Sequence, residues 1–237
     1  METKTKYKTK TAIHARHLTR VYRMGDSEVI GIDDVSLDIA PGELVVLKGN
    51  SGSGKSTLLS LIAGLDRPTS GHLTVADHDL TKTTTSGLTH FRRKVVGMVF
   101  QSFNLMPTLN VVENVCLPAL LAGKSPDRIK SKAMELLDWL GLSARKDHLP
   151  AQLSGGEMQR TAIARALIND PDIILADEPT GNLDSRNGRI VVELFAQLNR
   201  QWHRTVLIAT HSSIADSSAT MTVCLKDGKI NGQACDI

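Results

Sequence analysis

A glycine-rich loop between an apolar stretch and a helical stretch constrains the fold of this chain more than any other feature. The stretch LVVLKGNSGSGKST covers residues 44–57 and contains Gly49, four further residues, and then Gly54-Lys55-Ser56. Between a buried strand and a helix, predicted here over 55–65, such glycines let successive backbone N–H groups surround a phosphate. We predict that Lys55 reaches the β- and γ-phosphates of a nucleotide and that Ser56 ligates Mg²⁺; an ordinary glycine-rich turn is the alternative. The predicted phosphate-binding residues are Gly49, Asn50, Ser51, Gly52, Ser53, Gly54, Lys55, Ser56 and Thr57.

Two later stretches, DIILAD (172–177) and TVLIAT (205–210), are continuously apolar and predict strands buried in a parallel sheet, joined by a helix over about 185–201. Open α/β sheets place their ligands at the carboxyl ends of such strands. We therefore expect Asp177 to hold Mg²⁺, and Glu178 to be the base that polarises an attacking water. Glu178 as a plain surface acid is the alternative. His211 follows the second strand and is a candidate contact of the γ-phosphate, although a lone histidine is more often structural.

Two weaker candidates precede these strands. Gln101 follows the predicted strand KVVGMVF, and its amide can contact both Mg²⁺ and water, although an isolated glutamine carries little information. Tyr22 lies in a predicted hairpin formed by AIHARHL and VIGIDDVSLDI, with a turn at Gly25 and Asp26. Its ring is suited to stacking on a nucleotide base, but ordinary packing explains it equally well.

The stretch LSGGE, residues 153–157, predicts the start of a helix. Ser154 and Glu157 have the spacing of a capping box, which satisfies two backbone N–H groups at a helix N-terminus. Gly155 and Gly156 are not needed for that box, and each costs about 1 kcal/mol in a helix relative to alanine. A close approach of another group to this helix end is the reason that we expect for them.

The remaining pattern predicts the organisation of the chain. A strand-rich start precedes a parallel α/β core, a helical insertion covers about 101–165, and the end is a hairpin turning at Asp227-Gly228. We expect residues 13–237 to form a single domain. Residues 1–12 are a basic tail that we predict to be disordered and solvated, with contact to anionic lipid as the sharper alternative.

Charge and hydropathy exclude some classes of function. The net charge of +3 comes from the first 20 residues, which carry +5, so that the rest of the chain sums to −2 and offers no basic face for nucleic acid. The apolar stretch around 115–122 is interrupted by Pro118 and is much shorter than the roughly 20 residues of a membrane span. Since the N-terminus also lacks the apolar segment of a signal peptide, we expect the chain to stay in the cytoplasm.

Six motifs together resemble those of the ATP-binding cassette (ABC) ATPases. In chain order they are 49–57, Gln101, LSGGE, IILADEP, GNLD and ATH, and they cover essentially everything beyond the tail. The resemblance implies a P-loop NTPase (RecA-like) core with an antiparallel β subdomain and a helical signature subdomain. It also implies ATP and Mg²⁺ as cofactors and ATP hydrolysis as the activity.

The resemblance further implies a composite site between two chains. In this family two cassettes pack head to tail on ATP binding, and the signature motif of one caps the γ-phosphate held by the other. The implied trans contacts here are Ser154, Gly155, Gly156 and Glu157. Asp184 would link the two sites, with a helix N-cap as the even alternative. The implied homodimer lies peripherally on the cytoplasmic side of the inner membrane and requires a separate integral membrane permease, whose coupling helix should dock near 101–122.

Finer features look like the branch containing the lipoprotein-releasing (LolD) and macrolide-exporter (MacB) ATPases, with FtsE-type proteins nearby. They are GLDRPTSG (64–71), FQSFNLMPTLNVVENV (100–115) and ADEPTGNLD (176–184). The branch implies export or lipid extraction, in some cases with a periplasmic adaptor, and mechanotransmission without transport is the alternative. Family members in DNA repair or translation carry insertions that this sequence lacks.

Three positions depart from the commonest pattern of this branch. Ser212 follows His211 where aspartate is usual, Met158 follows the signature where glutamine or arginine is usual, and Lys48 precedes the P-loop where an apolar residue is usual. None of these changes removes a predicted catalytic group. Ser212 leaves open how His211 is supported.

Overall fold

The computed structural model describes residues 11–25 and 27–231. Residues 1–10 of the predicted tail lie outside the described residues. Ala12, which the prediction also assigned to the tail, is instead buried and donates its N–H to the Ile39 carbonyl at 2.7 Å. The strands are β1 (Ile13–Met24), β2 (Ser27–Ile39), β3 (Leu44–Lys48), β4 (Ser70–Val75), β5 (His78–Asp79), β6 (Val96–Val99), β7 (Ile173–Asp177), β8 (Thr205–Ala209), β9 (Met221–Lys226) and β10 (Lys229–Ile230). The α-helices are α1 (Lys55–Ile62), α2 (Thr85–Lys94), α3 (Val111–Leu121), α4 (Pro126–Trp139), α5 (Gly155–Leu167) and α6 (Ser185–Trp202). Single 3₁₀ turns occupy Ser143–Arg145, Pro150–Gln152 and Asp216–Ser218.

The central sheet has six strands in the order β10-β9-β3-β8-β7-β6, and all neighbours except β10 and β9 run parallel. Every residue of β3 and β8 is buried, as is every residue of β7 but the last, because helices or a second sheet cover both faces. The predicted buried strands are thus confirmed. Their parallel arrangement brings the carboxyl ends of β3, β7 and β8 to one edge.

A second, antiparallel sheet has the order β2-β1-β4-β5. Its inner face packs on α1 and on one side of the central sheet, forming a continuous apolar core. The predicted hairpin of β1 and β2 is confirmed, although Asp26 of its turn lies outside the described residues. The sequence analysis missed β4, β5 and α2. The two strands are short, and α2 buries only Leu88 and Phe91, so the hydrophobic periodicity of this region is weak.

The helices α3 to α6 cover the other side of the central sheet and form a second core. Pro126 is the first residue of α4, as predicted, but the Ser125 side chain makes no capping hydrogen bond. Asn114 of α3 is fully buried, and its amide contacts the backbone of Met106, Leu109 and Asn110 over 2.7–3.1 Å. These four bonds hold the loop between β6 and α3, which begins at Gln101. Within the described part of the chain, no helix has the length and apolarity to cross a membrane.

Candidate functional site

A cavity of about 670 Å³ lies at the carboxyl edge of the central sheet and collects most of the predicted site residues. The glycine-rich loop lines it together with Gln101, Glu178 and His211. Tyr22 lines the cavity from the second sheet. The lining residues are Tyr22, Val29, Ile30, Gly31, residues 50–57, Gln101, Glu178 and His211.

The glycine-rich loop packs too closely at its last glycine, Gly54, to admit a side chain there. A Cβ on Gly54, the residue before α1, would lie 2.4 Å from the Gly31 carbonyl oxygen, and its φ of 103° also favours glycine. Lys55 is 6% exposed, and its ammonium donates to the Gly49 carbonyl at 2.7 Å and the Asn50 carbonyl at 3.1 Å. The cation is thereby fixed across the loop at the N-terminus of α1. A helix N-terminus next to a cation suits a phosphate group.

Glu178 lies where β7 leaves the sheet and is held in a constrained conformation. Its φ is 44°, and its N–H donates to the Ala209 carbonyl at 2.8 Å, which ties it to the end of β8. Carboxylate atom Oε1 lies 3.1 Å from His211 Nδ1 and 3.8 Å from Lys55 Nζ, whereas Oε2 is buried and has no hydrogen-bond partner among the described residues. A buried, unpartnered carboxylate oxygen at a cavity wall is a group that a bound water or substrate would satisfy.

Ser56 and Asp177 form a set of oxygen ligands beside this carboxylate. The Ser56 hydroxyl donates to Asp177 Oδ1 at 3.1 Å, and burial raises the pKa of Asp177 although this hydrogen bond partly opposes the rise. Gln101 lines the same cavity as Ser56, and its Nε2 would lie 2.7 Å from a Cβ on Gly181. The described residues hold no group of three or more histidine, cysteine or acidic side chains suited to a metal. A hydroxyl, one carboxylate and an amide fit Mg²⁺ completed by phosphate oxygens and water.

The loop that follows Gln101 is held by a residue that the sequence analysis did not identify. Phe103 and Asn104 have positive φ values of 60° and 51°, and the Arg165 guanidinium of α5 donates to both of their carbonyl groups. Burial lowers the pKa of Arg165. Asn182 donates to the Gln101 carbonyl at 3.0 Å. The helix that starts with LSGGE is therefore connected mechanically to the loop carrying Gln101.

Tyr22 forms the far wall together with residues that the sequence analysis also missed. Its hydroxyl donates to Asp66 at 3.0 Å, and the Arg20 guanidinium lies 4.5 Å from the ring centroid. Val29 and Ile30, 49% and 57% exposed, lie next to it on β2. The predicted hairpin already placed the apolar residues Val29 and Ile30 opposite Tyr22 and its neighbour, and this pairing was the sequence signal for an apolar wall. One face of the tyrosine ring is covered by arginine, so a base would contact the other face.

The signature residues lie outside this cavity, because none of residues 154–157 lines it. Ser154 is the N-cap of α5, and the predicted capping box is confirmed by bonds in both directions between Ser154 and Glu157. Glu157 also accepts a hydrogen bond from Arg145 at 2.8 Å. Hydrogen bonds from Ser154 and Arg145 lower the pKa of Glu157 to about 2. Ser154 itself is exposed, so the capped helix end faces outward.

The two signature glycines differ in what surrounds them. A Cβ on Gly156 would lie 2.5 Å from Asn187 Oδ1 on α6, so this residue must be bare for packing within the chain. A Cβ on Gly155 would meet nothing closer than Leu183 at 3.4 Å, which is ordinary contact. Packing within this chain thus explains Gly156 but not Gly155.

Asp184 caps α6, as the N-cap alternative predicted. Its carboxylate accepts from the N–H groups of Arg186 and Asn187, both at 2.9 Å, and from the Asn187 amide at 2.6 Å. The Asn187 backbone bond is the main reason that the pKa of Asp184 is lowered. Asp184 also lies outside the lining of the cavity.

Comparison with known proteins gives the family. The pattern of the family described as ABC transporter matches residues 32–181. An uncharacterized ABC transporter ATP-binding protein of Mycobacterium tuberculosis is 44% identical over 218 residues, covering 92% of this chain and 88% of that protein. The chain belongs to the ABC transporter family.

Two further matches refine this assignment. The macrolide export ATP-binding/permease protein MacB of Sodalis glossinidius is 44% identical over 222 residues, which are 94% of this chain but only 34% of that protein. The chain thus spans about a third of the MacB relatives it matches. A dimeric structure of the ATP-binding cassette MJ0796, in a post-hydrolysis state bound to ADP and Pi, superposes with a TM-score of 0.87 at 38% identity and covers 94% of this chain and 97% of that one. This chain is accordingly an ATP-binding cassette and an ATPase, with the predicted fold.

We expect the two signature glycines of the cassette to respond differently to alanine. Gly155→Ala should raise the free energy of unfolding by up to about 1 kcal/mol, since its Cβ has room and alanine favours a helix over glycine, whereas Gly156→Ala should lower it by about 1 kcal/mol because Asn187 must move. Urea unfolding of both variants measures this. Equal destabilisation by the two changes would show that Gly155 is also bare for packing within the chain.

The Glu157 carboxylate should make the stability of the cassette depend on pH in the acid range. Its folded pKa of about 2 is below the ordinary value of 4.5, so it stabilises the folded state above about pH 4.5, and this contribution disappears as the pH falls toward 2. Urea unfolding between pH 7 and pH 3 should therefore show wild type and Glu157→Gln converging in acid. The control is Glu135→Gln on α4, which makes the same acid-to-amide change on a carboxylate that is 65% exposed and lies outside the capping box. If the free energies of unfolding of wild type and Glu157→Gln differed by the same amount at every pH, the lowered pKa of Glu157 would be contradicted.

Proposed function

We propose that this cassette hydrolyses MgATP in the described cavity and that a second copy of the chain completes each site. The observation that carries the proposal is the meeting of Glu178, His211 and Lys55 at one cavity wall, within 3.8 Å of the Glu178 carboxylate. Three parts of the chain far apart in sequence supply these groups. A base, a histidine and a cation around a phosphate-sized cradle suit hydrolysis of a phosphoanhydride.

Residues of the loop would bind the triphosphate, while Tyr22 and the apolar wall of Val29 and Ile30 would receive the base. Ser56, Asp177 and Gln101 would hold Mg²⁺, which neutralises phosphate charge when bound. Lys55 adds a positive charge that is already fixed in place by two backbone carbonyls. Since neither the loop nor Lys55 must reorganise, their electrostatic stabilisation is available as charge develops.

Glu178 is the proposed base. It is 16% exposed, one of its oxygens has no partner within the described residues, and it follows the strand that ends in Asp177. An attacking water would hydrogen-bond to this carboxylate, and His211 would orient the carboxylate through its Nδ1 contact while its exposed edge faces the γ-phosphate side. Because an ionised carboxylate only accepts hydrogen bonds, His211 Nδ1–H is the donor in that contact.

The signature motif is proposed to act on the partner. Ser154 is exposed at the N-terminus of α5, and Gly155 has no packing reason within its own chain to lack a side chain. A bare helix N-terminus is suited to approach a phosphate on another copy. A dimer is supported by a solved structure of the cassette MJ0796, which is dimeric and bound to ADP and Pi. Asp184 lies at the start of α6 next to this surface and is proposed to link the two sites in the dimer.

A groove between α3 and β6 is the proposed docking site for a coupling helix of a membrane permease. Its volume is about 440 Å³, and its apolar lining includes Leu65, Met98, Phe100 and Leu121. Leu65 and Leu121 are 52% and 64% exposed, which is typical of an interaction surface. Phe100 directly precedes Gln101, and Arg165 both lines the groove and holds the loop after Gln101. Movement of a docked helix would therefore reach the hydrolytic site.

The MacB name supports export through a permease as the physiological role, with the cassette peripheral on the cytoplasmic face of the inner membrane. Lipoprotein or lipid extraction, possession of a periplasmic adaptor, and FtsE-like mechanotransmission are finer alternatives within the same proposal. They differ in the membrane partner, since the substrate contacts would lie there. Purifying the tagged chain from its own membranes and identifying the permease that remains bound separates these alternatives.

Glu178→Gln should bind ATP but hydrolyse it about 10²–10⁴-fold more slowly, because the amide keeps the shape and loses the base. With the later step stalled, the ATP-bound dimer should accumulate in size-exclusion chromatography with MgATP. Glu193→Gln, an exposed change on α6, is the matched control and should behave like wild type. A monomeric Glu178→Gln protein with undiminished turnover would contradict the assignment.

Shared sites should allow two inactive variants to restore each other. Lys55→Ala removes the cation of its own cradle, and Ser154→Arg blocks the phosphate approach on the partner. If sites form in trans, a mixed dimer has one site with both lesions and one with none, so ATPase activity or ATP-dependent dimerisation of the two tagged proteins should appear on mixing. Ser131→Arg, an added charge on the exposed face of α4, is the control that should stay active alone. A mixture that gains neither activity nor dimer would rule out the trans site.

A further inference from the structure

Lys48 is a buried lysine at a position that no step of the proposed hydrolysis uses. It is the last residue of β3, directly before Gly49, and its side chain is 7% exposed. Every other residue of β3 is apolar and buried. An ammonium group is costly to bury unless it is paired and hydrogen-bonded, so its retention at this position needs a reason.

The ammonium group of Lys48 is paired on the side of the histidine segment. Its Nζ lies 2.7 and 2.8 Å from the two carboxylate oxygens of Asp216 and donates to the Ser212 carbonyl at 3.1 Å. Ser212 directly follows His211, and Asp216 begins the 3₁₀ turn that follows. Two of the three departures from the commonest pattern of the branch, Lys48 and Ser212, are therefore in direct contact.

Further hydrogen bonds make residues 210–216 a defined segment, here called the histidine segment. The Thr210 N–H donates to the Leu47 carbonyl at 3.0 Å, the Ser212 N–H donates to Thr210 Oγ1 at 3.0 Å, and the Asp216 N–H donates to the Ser213 carbonyl at 3.1 Å. The Ser212 hydroxyl is used locally, because it accepts from the Ile214 N–H at 3.3 Å. Lys48 is thus the side chain that connects the middle and the end of this segment to the P-loop strand.

We propose that Lys48, paired with Asp216, is a positioning residue that fixes the histidine segment against the P-loop strand and thereby holds His211 beside Glu178. The proposal rests on the proposed function, in which His211 takes part in hydrolysis. Lys48 does not line the cavity, so it acts only through the segment that it holds. His211 is 68% exposed and contacts Glu178 at one ring nitrogen, so its placement depends strongly on its backbone.

The energetics separate positioning from plain stabilisation. Removing one partner of an ion pair is costly when the remaining charge is buried, but Asp216 is 46% exposed and is solvated without Lys48, so Lys48→Met should change the stability of the chain little. The rate of hydrolysis is more sensitive than stability to the loss of this contact, since a misplacement of about 1 Å near reacting groups can cost up to about 10²-fold in rate. A variant that is as stable as wild type but turns over more slowly is the expected signature.

The first measurement follows the His211 ring itself in the nucleotide-free protein. Histidine labelled with ¹³C and ¹⁵N gives ring signals, and the His211 signal is assigned by its loss in His211→Ala. In Lys48→Met we expect this signal to move toward its position in Glu178→Ala, where the ring has lost its partner. The matched control is Lys229→Met, which removes an exposed lysine paired with Asp33 at 3.1 Å and should leave the signal in place.

The second measurement separates kcat from nucleotide affinity. We expect Lys48→Met to lower kcat about tenfold and to keep the affinity for a non-hydrolysable ATP analogue within about twofold, because the cradle is intact. If Lys48→Met does not fold, Asp216→Asn tests the same pair from its 46% exposed partner and should change both readouts in the same direction.

An unmoved His211 signal in the folded variants overturns the proposal, and so does a moved signal with an unchanged kcat. Failure of the proposed function is distinguishable from both results. Near-normal hydrolysis by Lys55→Ala would reject the proposed hydrolytic site, while the histidine signal, measured without nucleotide, would still report whether Lys48 holds the segment.

Discussion

The position of β8 between β3 and β7 is the constraint on which the site depends. In the parallel register, Leu47 of β3 and Asp177 of β7 both lie opposite Ala209 of β8. The three strands therefore end at the same level, and the chain leaves each of them at the same edge. The P-loop, Glu178 and His211 follow these three ends directly. Their meeting is a consequence of strand order, and the N–H of Glu178 bonded to the Ala209 carbonyl fixes it further.

The sequence was informative where burial is complete on both faces of a strand. Continuous apolar stretches predicted β3, β7 and β8, and glycines that exclude a Cβ marked the P-loop. Hydrophobic patterns carry no information on strand order, which only the structure shows. Contacts between residues distant in sequence were not predictable either. Examples are the hydrogen bonds from Arg165 to Phe103 and from Tyr22 to Asp66. Both depend on how the chain folds in three dimensions, which the residue types alone do not indicate.

The signature motif shows why a sequence pattern can have two causes. Ser154 and Glu157 satisfy backbone groups of their own helix, and Gly156 makes room for Asn187 of α6, so these three residues have reasons within the chain. Asn187 in turn donates to Asp184, which caps α6. Together these contacts pack the N-terminus of α5 closely against the N-terminus of α6. Only Gly155 is left without a reason of this kind, and it is the position most informative about a partner.

Exposure of the catalytic groups argues for a second copy more directly than the motif does. Glu178 is 16% exposed, whereas its neighbour His211 is 68% exposed, so the cavity is closed toward the sheet and open on the histidine side. Fixed dipoles and charges stabilise a developing charge far more where bulk water is excluded. One chain supplies the proposed cation, base and metal ligands, but no wall beyond His211 among the residues that line the cavity. An outward-facing helix N-terminus, whose dipole favours anions, is the complementary surface that the same chain carries elsewhere. Two copies arranged head to tail would place each helix end over the other's open side, and thus close both sites at once.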